Sequence, residues 1–290
     1  MRVHISTDTT ALVNPKIFDK YDISTFALNV IVDGEEFLDG ITIDQPTLCT
    51  AMRSGKNIKT STPPLGQVIE YFDGLFAKGY DQIIHFTISS KLSSMYDLFS
   101  TVAEQNFPGK LFVVDGYAVS TVIASHVFYA YEEANKGTPI EDILKEIEER
   151  KKTSNIVFIP ENLTALKNGG RVSPALALIG NVLGIKPVIK FKEGMLEKEG
   201  TTKQVRRTII ENITSSIQTY PPEEFDYTIV NFDAKTEVLE YINKAADEIL
   251  GEGKTITGIL PINVCAHCGP GTVGVIISRK INGKSIKEFI

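Results

Sequence analysis

The sequence predicts an α/β protein of two domains, the first built on a parallel sheet and the second on a mixed or antiparallel sheet. Its 290 residues exceed the size of one small domain and suggest about two. In the first half, short β-branched runs alternate with segments of helical periodicity, which is typical of a parallel sheet wrapped by helices. In the second half, two strand patterns flank Glu193-Gly194, which predicts a hairpin. We therefore predict domains at residues 1–159 and 160–290.

The elements of the first domain follow from local patterns. Gln82–Ile88 is short, apolar and rich in β-branched residues, so it predicts a buried strand. Val3–Asp8 predicts a first strand that ends in a polar turn. The Asp33-Gly34 pair predicts a tight turn between strands at 26–32 and 35–38. Residues 59–64 are polar and predict a connecting segment. The other predicted elements are helices at 14–21, 46–53, 65–78, 95–105, 119–135 and 140–152 and strands at 110–115 and 154–159.

The sequence pattern changes at the start of the second domain. Gly169-Gly170 follows a helical stretch and predicts a C-terminal cap. The remaining patterns predict a hairpin at 186–198, helices at 205–217 and 236–250, and strands at 227–232, 256–260 and 272–279. Residues 280–290 are expected to form a trailing end.

Composition and charge argue against several classes of function. The net charge of −6 and the absence of a basic block disfavour nucleic-acid binding. The most apolar stretch, residues 174–191, is interrupted by polar residues and proline, so no stable membrane insertion is expected. Three cysteines without an N-terminal secretory pattern predict a cytoplasmic protein. No Gly-x-x-x-x-Gly-Lys-Ser/Thr loop is present, so the chain is not expected to bind a nucleotide by itself.

The candidate site residues lie in hydroxyl-rich turns next to predicted strands. These turns are Thr7–Thr10, Thr60–Thr62 and Ser89–Ser94. Ligands bind at the carboxyl edge of an open α/β sheet, where helix N-termini favour anions. His267, just before a Gly-Pro-Gly turn, can add a donor, and together these groups predict a carboxylate site. The alternative is structural: the serines cap helices and turns, and His267 satisfies a local turn.

Two other chemistries deserve comparison with carboxylate binding. A serine hydrolase would use Ser93 as nucleophile and His267 as base, but the chain has no Gly-x-Ser-x-Gly elbow. Cys265 and Cys268 have the C-x-x-C spacing of some zinc sites, yet a structural zinc needs four ligands. The other cysteine and histidines stand singly in the sequence, so buried cysteines and no metal are predicted.

Six short motifs occur in series along nearly the whole chain. They are Thr7-Asp8-Thr9, Thr60-Ser61-Thr62-Pro63, Ser90–Tyr96, Leu166–Ser173, Gly184–Pro187 and His267–Gly271. Their order and spacing resemble the DegV family of bacterial lipid-binding proteins, which includes the fatty-acid-binding subunits of fatty acid kinase. The chain departs from the family pattern at Ser94-Met95, where the family has Gly-Thr, and at Asp115-Gly116, where it has Asp-Ser. Val122-Ile123 also stands where small residues are common.

The resemblance implies a carrier of a long-chain fatty acid, with the ligand between the two domains. By the motif match, Thr60, Ser61, Ser93 and His267 would bind the carboxylate, and Arg171 and Arg207 would contact a partner or phosphate. Such a protein is not an enzyme and needs no cofactor besides its bound acid. It presents the acid to a separate ATP-binding kinase subunit, and an acyltransferase system uses the acyl phosphate for phospholipid synthesis. A carrier of another lipid, without a kinase, is a further alternative.

The resemblance also implies an acyl-chain tunnel formed by the second domain. An apolar run supplies the candidates for its wall, although ordinary core is an equally good interpretation of each residue. The tunnel candidates are Ala175, Leu178, Ile179, Leu183 and Ile185.

Overall fold

A computed structural model describes residues 2–11, 14, 16–171 and 184–290. Within these residues the strands form three sheets: a four-stranded parallel sheet, a small antiparallel sheet and a six-stranded mixed sheet. The parallel sheet has the order β2-β1-β6-β7. Its strands are β1 (Val3–Asp8), β2 (Ser24–Phe26), β6 (Gln82–Thr87) and β7 (Leu111–Asp115). The predicted α/β class is confirmed. The tunnel candidates at 175, 178, 179 and 183 lie outside the described residues.

Helices cover both faces of the parallel sheet, which explains why β1 and β6 are buried along almost their whole length rather than at alternate residues. Successive side chains of β6 point to opposite faces: Ile83 packs in one hydrophobic cluster with Phe72 and Phe99, whereas Ile84 packs in another with Phe128. The helices of this half are α1 (Lys16–Asp19), α2 (Gln45–Arg53), α3 (Leu65–Phe76), α4 (Met95–Asn106), α5 (Thr121–Lys136) and α6 (Ile140–Lys151).

The small sheet differs from the prediction for residues 26–32. These residues belong to two strands rather than one, because the chain leaves the parallel sheet after Phe26 and enters the antiparallel sheet at Asn29. The new strands are β3 (Asn29–Val32), β4 (Glu35–Leu38) and β5 (Ile58–Ser61). Asp33 and Gly34 have φ values of 51° and 91°, as expected for the predicted tight turn. β5 pairs with β3, so part of the polar segment predicted as a connection is a strand.

The six-stranded sheet has the order β10-β9-β8-β13-β11-β12 and is antiparallel except for the β11–β12 pair. Its strands are β8 (Asn155–Ile159), β9 (Lys186–Lys192), β10 (Met195–Thr202), β11 (Phe225–Phe232), β12 (Thr255–Ile259) and β13 (Thr272–Arg279). Its helices are α7 (Thr164–Asn168), α8 (Val205–Ser216), α9 (Thr236–Leu250) and α10 (Ile262–Cys268). The predicted hairpin is β9 and β10. The predicted mixed sheet is therefore confirmed.

Alternate residues of this sheet face two different cores. Val157 and Val275 pack with the helices α8 and α9 on one face. Ile156, Phe158 and Ile276 face the other way, into the cluster shared with the first half of the chain. The division into domains at residues 159 and 160 stays a prediction. Because β8 pairs with β13 and β9, a boundary drawn by sheets would precede Asn155.

The C-terminal residues do not trail away from the fold, and this expectation was wrong. Residues 286–288 form a 3₁₀ turn, and Ile281, Ile286 and Phe289 are buried in the same cluster as Phe128 of α5. Burying these three apolar side chains stabilises the tail against the first half of the chain. The tail thus connects the last strand to the first half of the chain, and it does not line the site described below.

Candidate ligand-binding site

A pocket lies between the sheets and contains about 920 Å³ of empty space, open solvent at its mouth included. Its polar lining residues are Thr60, Ser61, Thr62, Ser93, Arg171, Asn263 and His267. Its apolar lining residues include Leu28, Ile88, Leu92, Met95, Val119, Ile156, Phe158, Leu166, Phe191, Leu196, Val230, Leu260, Val264 and Ile276. The pocket is therefore a largely apolar chamber with a localised set of polar groups.

The four predicted carboxylate residues line this one pocket, although they come from three separate elements. Thr60 and Ser61 end β5, Ser93 lies in the turn before α4, and His267 lies in the last turn of α10. Thr60 Oγ1 and His267 Nε2 are 3.0 Å apart and hydrogen bonded. The pairing of β5 with β3 and the packing of α10 on this small sheet bring the two residues together.

Helix α10 is held at its N-terminus by a buried carboxylate. Asp39 Oδ2 accepts a hydrogen bond of 3.0 Å from the backbone N–H of Asn263. Asp39 is 1% exposed, and burial raises its pKa to about 7. Because this contact joins the residue after β4 to α10, it fixes the helix that carries His267 against the small sheet.

The serine turn is held by two other carboxylates, neither of which lines the pocket. Asp8 accepts hydrogen bonds of 2.8 Å from the backbone N–H groups of Thr10 and Ile88. Asp115 accepts one of 3.0 Å from the N–H of Ser90. The Thr7–Thr10 turn is therefore a support for the serine turn, and its buried side chains do not line the pocket.

The turn of the β9–β10 hairpin is anchored to the serine turn. Ser89 Oγ donates a 2.8 Å hydrogen bond to the carbonyl of Gly194. A Cβ atom at Gly194 would lie 2.7 Å from that hydroxyl and 3.1 Å from the ring of Tyr117, so only glycine fits. Phe191 and Leu196, on the two strands of the hairpin, line the pocket. One wall of the pocket is thus attached directly to the loop that carries Ser93.

Arg171 lies at the polar part of the pocket. Its Nε donates to the carbonyl of Leu92 over 3.0 Å, and its Nη1 donates to the carbonyl of Gly169 over 2.5 Å. Burial, and then the positive charge of Arg171, lower the pKa of His267 to about 4. His267 is therefore neutral at pH 7 and offers its ring nitrogens as one donor and one acceptor.

Two predicted site residues lie elsewhere. Arg207 is exposed on α8 and its Nε donates to Glu211 over 2.7 Å, so it does not contribute to the pocket. Ile185 is 36% exposed just before β9 and is not among the residues that line the pocket. The remaining predicted tunnel residues lie outside the described part of the chain.

The apolar wall comes mainly from residues that the sequence analysis missed. Ile156 and Phe158 on β8, Val230 on β11 and Ile276 on β13 line the pocket. These strands are apolar on both faces, so their sequences do not indicate which face meets a ligand. Phe191 and Leu196 carried a better signal, because they are large apolar residues next to the turn of a hairpin rich in lysine and glutamate.

The geometry does not match a serine hydrolase. The hydrogen bond of His267 Nε2 goes to Thr60 rather than to Ser93. Its other ring nitrogen, Nδ1, is buried and has no hydrogen-bond partner among the described residues, so no carboxylate of that part of the chain orients the ring. This arrangement suits ligand orientation better than proton abstraction.

The departures from the family motifs have local explanations. Met95 is buried and lines the pocket, and the hydroxyls of Ser94 and Thr62 are 3.0 Å apart. At Gly116 a Cβ would lie 2.3 Å from the carbonyl oxygen of Thr87 and 2.9 Å from Ile123 Cγ1. The glycine therefore permits both a close approach of β7 to β6 and the bulky residue at 123.

Comparisons with known proteins agree with this fold. A DegV domain-containing protein of Mycoplasmopsis pulmonis is 25% identical over 96% of both chains. A DegV family protein from Thermus thermophilus, whose structure is described as showing fatty acid binding, is 25% identical over 96% of this chain and 100% of its own, with a TM-score of 0.84. A Thermotoga maritima protein, also described as revealing a fatty acid binding function, is 26% identical over 96% of this chain and 99% of its own, with a TM-score of 0.80.

The described residues lack two kinds of structural feature. None of their helices is long and apolar enough to cross a membrane. They also contain no group of three or more histidine, cysteine or acidic side chains suited to a metal ion.

The DegV family model matches residues 2–280, and the chain accordingly belongs to the DegV family.

Proposed function

We propose that this protein binds a long-chain fatty acid in the pocket between its sheets. The carboxylate is held by Thr60, Ser61, Ser93 and His267, the last of which acts through its hydrogen bond to Thr60. The observation that carries this proposal is that residues from three distant motifs line one pocket whose other walls are mostly apolar. The two related proteins described as fatty acid binding support the choice of ligand.

Apolar burial supplies most of the affinity in this proposal. Each methylene removed from water contributes about 0.8 kcal/mol. A dozen methylenes therefore contribute on the order of 10 kcal/mol before the costs of association are subtracted. The polar groups are then needed for orientation rather than for tight binding.

The polar groups suit a carboxylate that remains reactive. Hydroxyls of threonine and serine donate to its oxygens, a neutral His267 supports Thr60, and the charge of Arg171 lies close by. Together these groups offset the desolvation of the carboxylate. Thr62 and Ser94, next to the polar cluster, are exposed, so one carboxylate oxygen can face a partner bound at this surface.

We further propose that the acid is passed to a separate ATP-binding kinase subunit. A carboxylate oxygen attacks the γ-phosphorus of ATP, the bond to ADP breaks, and an acyl phosphate is formed. That product then serves an acyltransferase system of phospholipid synthesis in the cytoplasm. Arg171 lies near the reacting group, and the exposed Arg207 is available for contact with the partner. The carrier itself supplies no catalytic group.

The test begins with native mass spectrometry of the purified protein, followed by denaturing extraction of any bound molecule. We expect one fatty acid per chain. An empty protein that also fails to take up added fatty acids would refute the proposal. Esterase turnover by the isolated chain would favour the hydrolase, and a different extracted lipid would favour another carrier function.

The head-group assignment needs variants. Ser93→Ala and His267→Ala should lower acyl phosphorylation by the kinase while leaving the thermal midpoint nearly unchanged. Ser215→Ala is the matched control, because this exposed serine on α8 lies outside the pocket. Wild-type rates for both site variants would show that the carboxylate is held elsewhere.

A further inference from the structure

The two glycines at the end of α7 are required for different reasons. Gly170 has φ of +69°, which favours glycine, but a Cβ there would meet nothing within 4 Å. Gly169 has an ordinary φ of −76°, so its backbone would accept any residue. A Cβ at Gly169 would instead lie 2.2 Å from Nδ1 and 2.9 Å from Cε1 of His267. Position 169 lacks a side chain because the imidazole ring occupies that space.

This contact also bears on which ring nitrogen carries the proton. The glycine hydrogen in the direction of the missing Cβ points at Nδ1, and Nδ1 has no other partner among the described residues. A C–H group pairs with a lone pair and not with an N–H. The proton therefore resides on Nε2, which donates to Thr60 Oγ1 over 3.0 Å. The hydroxyl hydrogen of Thr60 is then free to bond a ligand.

Arg171 keeps Gly169 in this place. Its Nη1 donates to the carbonyl of Gly169, and its Nε donates to the carbonyl of Leu92, next to Ser93. The end of α7 is thereby tied to the serine turn while its Gly169 faces His267. Gly169 and Arg171 therefore fix the end of α7 relative to both the His267 ring and the turn that carries Ser93.

We propose that Gly169 is a positioning residue, which sets the place and the Nε2–H tautomer of His267 and so directs the Thr60 hydroxyl to the ligand. The part of this inference that concerns the ligand rests on the proposed function. The part that concerns the ring does not, and it can be measured on the protein without any ligand.

The first test is the ¹⁵N spectrum of the four histidine rings, with His267 assigned from the variant His267→Gln. In the wild-type protein we expect the shifts of an Nε2–H tautomer. In Gly169→Ala we expect these shifts to change, since the methyl group would displace the ring. Gly170→Ala is the matched control: it strains the backbone at the neighbouring position but leaves the His267 signals in place. An Nδ1–H tautomer in the wild type, or unchanged signals in Gly169→Ala, would overturn the proposal.

The second test is a double-mutant cycle on fatty acid affinity, with palmitate as the probe. Gly169→Ala should bind about tenfold more weakly, the loss of one hydrogen bond. In a His267→Ala background the ring is gone and the methyl group has room, so Gly169→Ala should have no additional effect. Losses that multiply would show that Gly169 acts independently of His267. If Gly169→Ala does not fold, the tautomer of His267 in the wild-type protein still tests the proposal. If no form binds fatty acid, the proposed function fails and the ring measurements stand.

Discussion

Val230→Phe tests whether the apolar pocket accepts the acyl chain. Val230 is 2% exposed and lines the pocket, and the next residue of β11 accepts a hydrogen bond from Leu260, just before α10. His267 is five residues beyond the first residue of α10, so roughly 7–8 Å separate these two ends of the helix. A larger side chain at 230 should therefore meet the acyl chain away from the carboxylate.

The expected magnitude follows from the atoms exchanged. Phenylalanine carries four more side-chain carbons than valine, and these displace three or four methylenes of the ligand. At about 0.8 kcal/mol each, the loss is about 3 kcal/mol, or roughly 100-fold in affinity. Acids too short to reach Val230 should bind as they do to the wild type. Val230→Ala should have the opposite effect and improve the binding of longer acids.

The assay is titration calorimetry or displacement of a fluorescent acid with a series of saturated acids from ten to eighteen carbons. Thermal unfolding of the empty variants is measured in parallel, since overpacking costs about 1–3 kcal/mol when a site cannot adjust. A uniform loss of affinity across the series, at unchanged stability, would refute the placement of the chain. An unchanged preference in both variants would do the same.

Three other predictions concern different parts of the molecule. His267 has a pKa of about 4 in the folded protein and 6.5 in the unfolded chain, so the unfolded chain binds more protons between these pH values. The free energy of unfolding should therefore fall as the pH decreases from 6.5 to 4. Urea unfolding should show a decrease on the order of 2 kcal/mol larger in the wild type than in His267→Gln. Gly116→Ser should cost about 1–3 kcal/mol, and in thermal melts Ile123→Ala should destabilise the Gly116→Ser variant less than it destabilises the wild type; full stability of Gly116→Ser alone would contradict the expected clash with Thr87. Arg207→Ala should leave palmitate affinity and stability nearly unchanged, because its ion pair is exposed, but lower the rate of acyl phosphorylation; an equal rate would remove this residue from the partner surface.

Local patterns were sufficient to predict most of the elements. The β6 strand was evident because a strand buried on both faces needs an uninterrupted apolar run. The Asp33-Gly34 turn was evident because few residue pairs adopt two successive positive φ values. The strand at 58–61 was missed because β5 lies at the edge of a small sheet and is only partly buried, so it shows little apolar periodicity.

The candidate site was only partly predictable from the sequence. Thr60, Ser93 and His267 lie in short motifs that could be identified without a structure. Their mutual contacts depend on sequence-distant pairings, such as Asp39 with Asn263, which have no local signature. The role of Gly169 was also hidden, because a glycine pair after a helix is adequately explained by capping until the position of the His267 ring is known.

The pocket wall belongs to a single hydrophobic cluster that spans both halves of the chain. Leu28 and Val119 contribute from one half, and Ile156, Val230 and Ile276 from the other. A bound acyl chain would therefore pack against side chains of the protein's own hydrophobic core. Filling the site at a free-acid concentration of 100 times Kd would stabilise the fold by about 2.7 kcal/mol. The concentration of free acid would thus set the stability of the fold as well as the occupancy of the pocket.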